Sequence, residues 1–143
     1  MKKLSFFCAV LLMGALTACS SGTTTTPTVP AAATSSANYT NVSPQQLNAM
    51  LANKDFVLVN VHIPYYGEIA GTDLFLPYDQ IQNNLAQLPP DKNAKIVLYC
   101  RSGSMSTEAS GVLAALGYTK IYNLSGGMYA WEAQGYPLLQ KTQ

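Results

Sequence analysis

The apolar positions change period several times along the chain, and each change marks a predicted element. Leu4 to Leu16 is an almost unbroken apolar run behind Lys2 and Lys3. At about 13 residues it is shorter than the ~20 that span a bilayer, and its basic start and small-residue end read as a secretory signal. From Ser20 to Asn38 the period disappears, leaving Ser, Thr, Pro, Ala and Gly with Val29 and Asn38, and no charge or aromatic ring. Such a stretch cannot bury enough surface to offset its ordering entropy and is expected to be a tether. Its random-coil reach is about 25 Å for about 19 residues.

Ser43-Pro44-Gln45-Gln46 predicts a helix start, with Ser43 as N-cap, Pro44 in the first turn and Gln46 closing a capping box. Leu47, Met50 and Leu51 give that helix one apolar face. Phe56 to Val61 is a short, nearly continuous apolar run, as expected of a strand buried on both faces. Asp79 to Leu88 sets Ile81, Leu85 and Leu88 at helical spacing before Pro89-Pro90. Lys95 to Tyr99 is a second strand that runs straight into Cys100. Ser104 to Leu116 predicts a helix with Ala109, Val112, Leu113 and Leu116 inward and Gly117 at its C-terminal cap. Lys120 to Leu124 is a third strand, and Ser125-Gly126-Gly127 opens a last helix carrying Trp131. Strands alternating with helices imply an α/β fold, a parallel sheet covered on both faces.

Composition narrows the chemistry. The chain has 143 residues, room for one domain, and at 48% hydrophobic and 10% charged it is too apolar to be disordered throughout. A formal charge of +1 supplies no basic field for phosphates, so nucleic acid is not an expected partner. The cysteines, Cys8, Cys19 and Cys100, are too few and too scattered for a disulfide framework or a zinc site. No metal is expected. Leu16-Thr17-Ala18-Cys19 resembles the lipobox of bacterial lipoproteins, which implies cleavage before Cys19 and acylation of its thiol. The alternative is an ordinary signal peptide with a chance cysteine. Acyl chains contribute about 0.8 kcal/mol per buried methylene, so the lipobox implies a near-permanent membrane anchor. Ser20 in place of Asp after the cysteine implies the outer membrane, with the domain facing the periplasm. The expected organisation is a signal over residues 1–18, lipidated Cys19 and the tether over 19–38, and a folded domain over 39–143. Without Lys2 and Lys3, six basic residues face seven acidic ones. Cys100 is then a lone free thiol, with no second cysteine to form an internal disulfide.

In an α/β fold, ligands bind beyond the carboxyl ends of the strands. Cys100-Arg101-Ser102-Gly103-Ser104-Met105-Ser106 leads from such an end directly into a helix. Small residues and Gly103 let backbone N–H groups curl into an anion nest at the positive end of the helix dipole. A nest of that kind favours a thiolate over a thiol, and Arg101 adds a cation. A cysteine at a strand end is, by itself, more often an inert core residue. It is the loop that points to a nucleophile.

Tyr99-Cys100-Arg101-Ser102-Gly103-Ser104-Met105-Ser106, followed by a helix and then by Gly117-Tyr118 through Gly126-Gly127-Met128-Tyr129-Ala130-Trp131, resembles a single-domain rhodanese. The resemblance runs from about Ser43 to Leu138. It implies a parallel sheet of about five strands flanked by helices, and a six-residue active loop from Cys100 to Met105. It also implies that Cys100 accepts a sulfane sulfur as a persulfide, cradled by Arg101, Ser102, Gly103, Ser104 and Met105. The donor would be thiosulfate, a polysulfide or a persulfide, and the acceptor a thiol or a cyanide-like thiophile. No cofactor is implied, and the kinetics would be ping-pong.

The chain also departs from the family. Ser104 and Met105 stand where many members carry a basic residue, which leaves Arg101 as the loop's cation. Upstream, the family's Asp-Val-Arg becomes Asn60-Val61-His62, Glu68 stands where the family has histidine, and the loop between is about three residues shorter. His62, Glu68 and Tyr65 form a candidate pocket rim, with Tyr66 and Tyr78 as further aromatics. His62 reads either as a proton-transfer group or as a filler of the family's arginine slot, and Glu68 either as a rim member or as a solvated carboxylate. Two other functions fit the strand–loop–helix pattern. One is a non-catalytic sulfur carrier or sensor docked to an envelope partner. The other is a cysteine phosphatase or arsenate reductase, which needs an arginine clamp six positions after the cysteine, where Ser106 stands.

Overall fold

Ser43 caps helix α1 (Pro44–Leu51) in the computed structural model, which describes residues 38–140. The Gln46 N–H donates to Ser43 Oγ at 3.2 Å and the Ser43 N–H donates to Gln46 Oε1 at 2.8 Å, closing the expected box. The signal segment, Cys19 and the tether as far as residue 37 lie outside the described residues, as do residues 141–143.

The strands among the described residues are β1 (Thr40–Val42), β2 (Val57–Asn60), β3 (Glu68–Ile69), β4 (Leu74–Phe75), β5 (Ile96–Tyr99), β6 (Ile121–Leu124) and β7 (Leu138–Leu139). Five of them make one parallel sheet in the order β1-β6-β5-β2-β4, and β3 pairs antiparallel with β7 in a separate ribbon. Side chains alternate across β5 and supply two cores. Ile96 and Leu98 pack with Val59, Val61, Ala109 and Leu113 beneath helix α2 (Ser104–Ala115) and the 3-10 segment Tyr78–Gln87. Val97 and Tyr99 pack with Leu47, Leu58, Met128 and Trp131 beneath α1 and helix α3 (Gly127–Ala133). Burying a side chain such as Leu47 completely contributes about 1.5–3 kcal/mol. This is the α/β architecture that the alternating pattern predicts.

Three details differ from the sequence reading. The Asp79–Leu88 helix is a 3-10 segment interrupted at Asn84, where φ is −115° and ψ is 19°. Its amides bond locally, Asn84 Nδ2 donating to the Gln80 carbonyl and Gln87 Nε2 to Asn84 Oδ1, both at 2.9 Å. Such bonds compete with an α-helical ladder. Leu116 is exposed rather than inward. The Gly117 N–H bonds to the Ala114 carbonyl and the Tyr118 N–H to the Leu113 carbonyl, a Schellman turn that buries Tyr118 in its place. The short strands β1, β3, β4 and β7 had no period long enough to read.

Because the main sheet is wholly parallel, the carboxyl ends of its strands share one edge. The loops after β2, β5 and β6 open there, with β5 in the middle.

Candidate active site

Cys100 is the first residue after β5 and is 1% exposed. The chain turns there because Gly103 adopts φ +101°, which ends the loop and starts α2. This turn brings the Gly103 N–H to 3.1 Å from Cys100 Sγ. The Ser106 hydroxyl, in the first turn of α2, lies 3.5 Å from the same sulfur and 3.1 Å from the Gly103 carbonyl, so its one proton serves either acceptor. Ser106 was not among the site residues read from sequence. Its signal was a small polar residue in the first helical turn after the cysteine.

The loop is fixed from behind by α3. The Met128 N–H donates to the Cys100 carbonyl at 2.9 Å and the Tyr129 N–H to the Arg101 carbonyl at 3.0 Å. This approach requires Gly127, where φ is +58° and a Cβ would lie 2.2 Å from the Cys100 carbonyl oxygen. The Gly126-Gly127 pair therefore does for the loop what an inner wall does for a cavity. Ser102 and Ser104 are exposed, their hydroxyls 3.4 Å apart, and Met105 packs half-buried against the α2 core.

Arg101 is half-buried. Its Cζ lies 4.3 Å from the ring centroid of Tyr66 and 4.9 Å from that of Tyr129, and its Nε is buried without a hydrogen-bond partner. The ion pairs among the described residues, Lys54–Asp73 and Lys95–Asp55, do not include it. Tyr129 was missed in the sequence, although its place in the first turn of α3 puts it beside any loop that α3 supports.

His62 lies two residues beyond β2 and is 8% exposed, with Nδ1 buried and unpartnered. Burial, and then the Arg101 guanidinium, hold its imidazole below the usual value. Its ring meets Tyr66 edge-on at 6.4 Å. Asn60 ties this loop together, accepting from the His62 N–H at 3.0 Å and donating to the Gly67 carbonyl at 2.9 Å. Thus Asn60 bonds the backbone at position 62, not the side chain. Glu68 is 5% exposed in β3 and within electrostatic reach of the Tyr99 hydroxyl, so it is a buried carboxylate. Tyr65 is half-buried and packs edge-on against Phe75 at 5.7 Å. Among the candidate rim residues, His62 lies within electrostatic reach of Arg101. Tyr78 packs on the α2-side core.

A shallow cleft of about 340 Å³ lies at the other end of α2, bounded by Tyr39, Ala114, Gly117 and Tyr118. Its lining residues carry no nucleophilic thiol and no fixed charge.

Residues 43–134 match the family model described as a rhodanese-like domain. A sulfurtransferase of Allochromatium vinosum is 34% identical over 103 residues, which cover 68% of this chain and 92% of that protein. The thiosulfate sulfurtransferase PspE of Escherichia coli is 30% identical over 70 residues, 48% of this chain and 67% of that one. The crystal structure of a rhodanese-related protein from Thermoplasma volcanium superposes with a TM-score of 0.62 at 24% identity, covering 72% of this chain and all of that chain.

Proposed function

The chain belongs to the rhodanese-like family of sulfurtransferases, and from that premise we propose that it carries a sulfane sulfur on Cys100 from a donor to a thiophilic acceptor. The observation that supports this most directly is the Gly103 N–H aimed at Cys100 Sγ from a loop that α3 holds in place. The first amides of α2 have no acceptor inside the helix, so they remain as donors for an added sulfur. Ser106 occupies the position where a phosphatase would need its arginine. A hydroxyl there cannot clamp an oxyanion through a bidentate pair, which favours sulfur transfer over phosphate chemistry.

With thiosulfate as donor, the Cys100 thiolate attacks the outer sulfur. The new S–S bond forms as the S–SO3 bond breaks, and sulfite leaves with the electron pair. In the second step a thiolate acceptor attacks the outer sulfur of the persulfide. The Cys100 S–S bond breaks, its pair returns to Sγ, and the acceptor leaves as a persulfide. Polysulfides and organic persulfides fit the same two displacements. Arg101 is the loop's one fixed charge and can face one negative charge, so a singly charged persulfide suits the site better than dianionic thiosulfate.

Incubation with polysulfide should add about 32 Da, one sulfur, to the intact mass, and a thiol should then remove it. Cys100→Ser should take up none. An adduct retained in Cys100→Ser, or no adduct with any sulfane donor, overturns the reading.

The lipobox-like setting of Cys19 supports the further proposal of a lipid anchor, which would hold this chemistry at the periplasmic side of the outer membrane, where small sulfur compounds or an envelope protein would supply and receive the sulfur.

A further inference from the structure

Neither displacement written above gives Ser106 a part, yet it touches the sulfur on which both turn. The residue is fully buried in the first turn of α2. Its hydroxyl has one proton and two acceptors within reach, Cys100 Sγ at 3.5 Å and the Gly103 carbonyl at 3.1 Å. The carbonyl does not depend on that proton, because the Thr107 N–H also donates to it, at 3.0 Å. A hydroxyl between two such acceptors goes to the one with more charge, since a hydrogen bond to an ionised acceptor is roughly twice as strong as one to a neutral acceptor. The charge on Sγ changes during the reaction. In the unloaded thiolate it sits on Sγ itself. In the persulfide it sits mainly on the outer sulfur, and Sγ becomes a bridging atom with little charge. The outer sulfur must face the mouth for an acceptor to reach it, whereas Ser106 has no exposed surface, so the hydroxyl serves Sγ.

We propose that Ser106 is a catalytic residue whose hydroxyl switches between these two acceptors and thereby weakens the protein's hold on its sulfur. It donates to Sγ in the unloaded protein, turns to the Gly103 carbonyl once sulfur is bound, and returns to Sγ as the sulfur leaves. The stronger of its two bonds exists only without the sulfur, so Ser106 favours release. The exchange it biases is balanced. The Cys100 thiolate and a persulfide anion, R–S–S−, give the Cys100 persulfide anion and R–S−, one S–S bond forming as another breaks. This inference rests on the persulfide reading of Cys100 and deepens it by naming a residue that sets the equilibrium of transfer.

The test is a competition between two proteins for one sulfur. Wild-type protein loaded from polysulfide is mixed with an equal amount of unloaded Ser106→Ala, and a trace of 2-mercaptoethanol carries sulfur between them until the distribution is constant. The mixture is repeated from the other side, with Ser106→Ala loaded and wild type empty, and intact mass separates the four species. At equilibrium the sulfur should favour the alanine variant by about five-fold to ten-fold, the difference between a charge-assisted and a neutral hydrogen bond. Ser110→Ala is the control. Ser110 is also fully buried on α2, one turn further on, and its hydroxyl has no hydrogen-bond partner, so sulfur should divide evenly between this variant and wild type. Ser106→Gly, which removes the same hydroxyl, gives an independent reading should the alanine variant fail to fold. Loss of stability does not enter the ratio, which compares loaded with unloaded folded protein. A ratio under about two-fold, a preference for wild type, or an equal preference for Ser110→Ala overturns this inference alone. Failure of wild-type protein to load with any sulfane donor, or sulfur that never leaves it, overturns the persulfide reading and this inference with it.

Discussion

Between β5 and α2 the chain is held by backbone. The Gly103 N–H reaches Sγ, the Met128 and Tyr129 N–H groups take the Cys100 and Arg101 carbonyls, and Gly127 has no side chain because none fits. Between β2 and β4 the chain is held by side chains. Asn60 bonds both ends of the 62–67 loop, and Tyr99 holds its continuation. There the Ile69 N–H donates to the Tyr99 oxygen at 3.1 Å, the Thr72 hydroxyl donates to the Ile69 carbonyl at 2.7 Å, and the remaining proton, that of Tyr99, goes to Thr72 Oγ1 at 2.6 Å. A loop held by its backbone keeps its geometry through many side-chain changes and is destroyed by a few. A loop held by side chains can be retailored residue by residue. The first arrangement suits the sulfur-bearing loop and the second suits the rim that selects what approaches it.

The contrast can be broken most severely at Gly127. Gly127→Ala places a Cβ 2.2 Å from the Cys100 carbonyl oxygen and 2.8 Å from that of Arg101, in a backbone conformation that side chains disfavour. Neither contact is with a flexible group, so α3 must withdraw and release both carbonyls. The expected cost is about 3 kcal/mol or more in denaturant unfolding, with loss of sulfur loading. A stable, loading-competent Gly127→Ala would show that the loop does not depend on α3.

A smaller effect is expected from Tyr99→Phe. It removes one oxygen and leaves the buried Ile69 N–H without its acceptor, which costs about 1–3 kcal/mol. The Ile69 amide should exchange with solvent faster, while loading of Cys100 persists, since Tyr99 faces the α1 and α3 side of the sheet and Cys100 the other. A loss of loading in proportion to the loss of stability would mean that the two loops are one unit.

The same difference explains what could be read from the sequence. The Cys100 loop was legible because its determinants, a buried strand, a run of small residues, Gly103, a helix and a Gly-Gly pair, are local and ordered along the chain. The Ser43 capping box was legible for the same reason. The β3–β7 ribbon was not, because it joins two-residue strands about seventy positions apart through backbone bonds that no periodicity announces. Tyr129 was hidden likewise, since its partner Arg101 is distant in sequence and shares only the turn of α3 with it. Asn60 looked like a lost aspartate, and its second role, bonding backbone at His62 and Gly67, depends on a loop path that composition does not encode. The 3-10 segment was misread because Ile81, Leu85 and Leu88 fit a helical period while the intervening Asn and Gln amides, which decide the geometry, do not enter that count.

The smallest and most specific effect concerns His62, the chain's one histidine. Burial, and secondarily Arg101, keep its folded imidazole below the ordinary 6.5. The unfolded chain therefore binds a proton at higher pH than the folded one, and stability falls as pH drops through about 6.5. The fall stops once pH is below the folded value, because both states are then protonated. Surrounding carboxylates ordinarily titrate below this window and thiols, tyrosines and lysines above it, so the slope between about pH 7.5 and 5.5 belongs largely to this residue. His62→Gln should flatten that slope, and Arg101→Gln should reduce it in part, leaving the burial contribution. Unchanged stability in wild-type protein across the window would mean that His62 protonates freely where it stands. The side-chain-held loop would then be open enough for water to reach Nδ1, and the contrast with the sealed Cys100 loop would narrow accordingly.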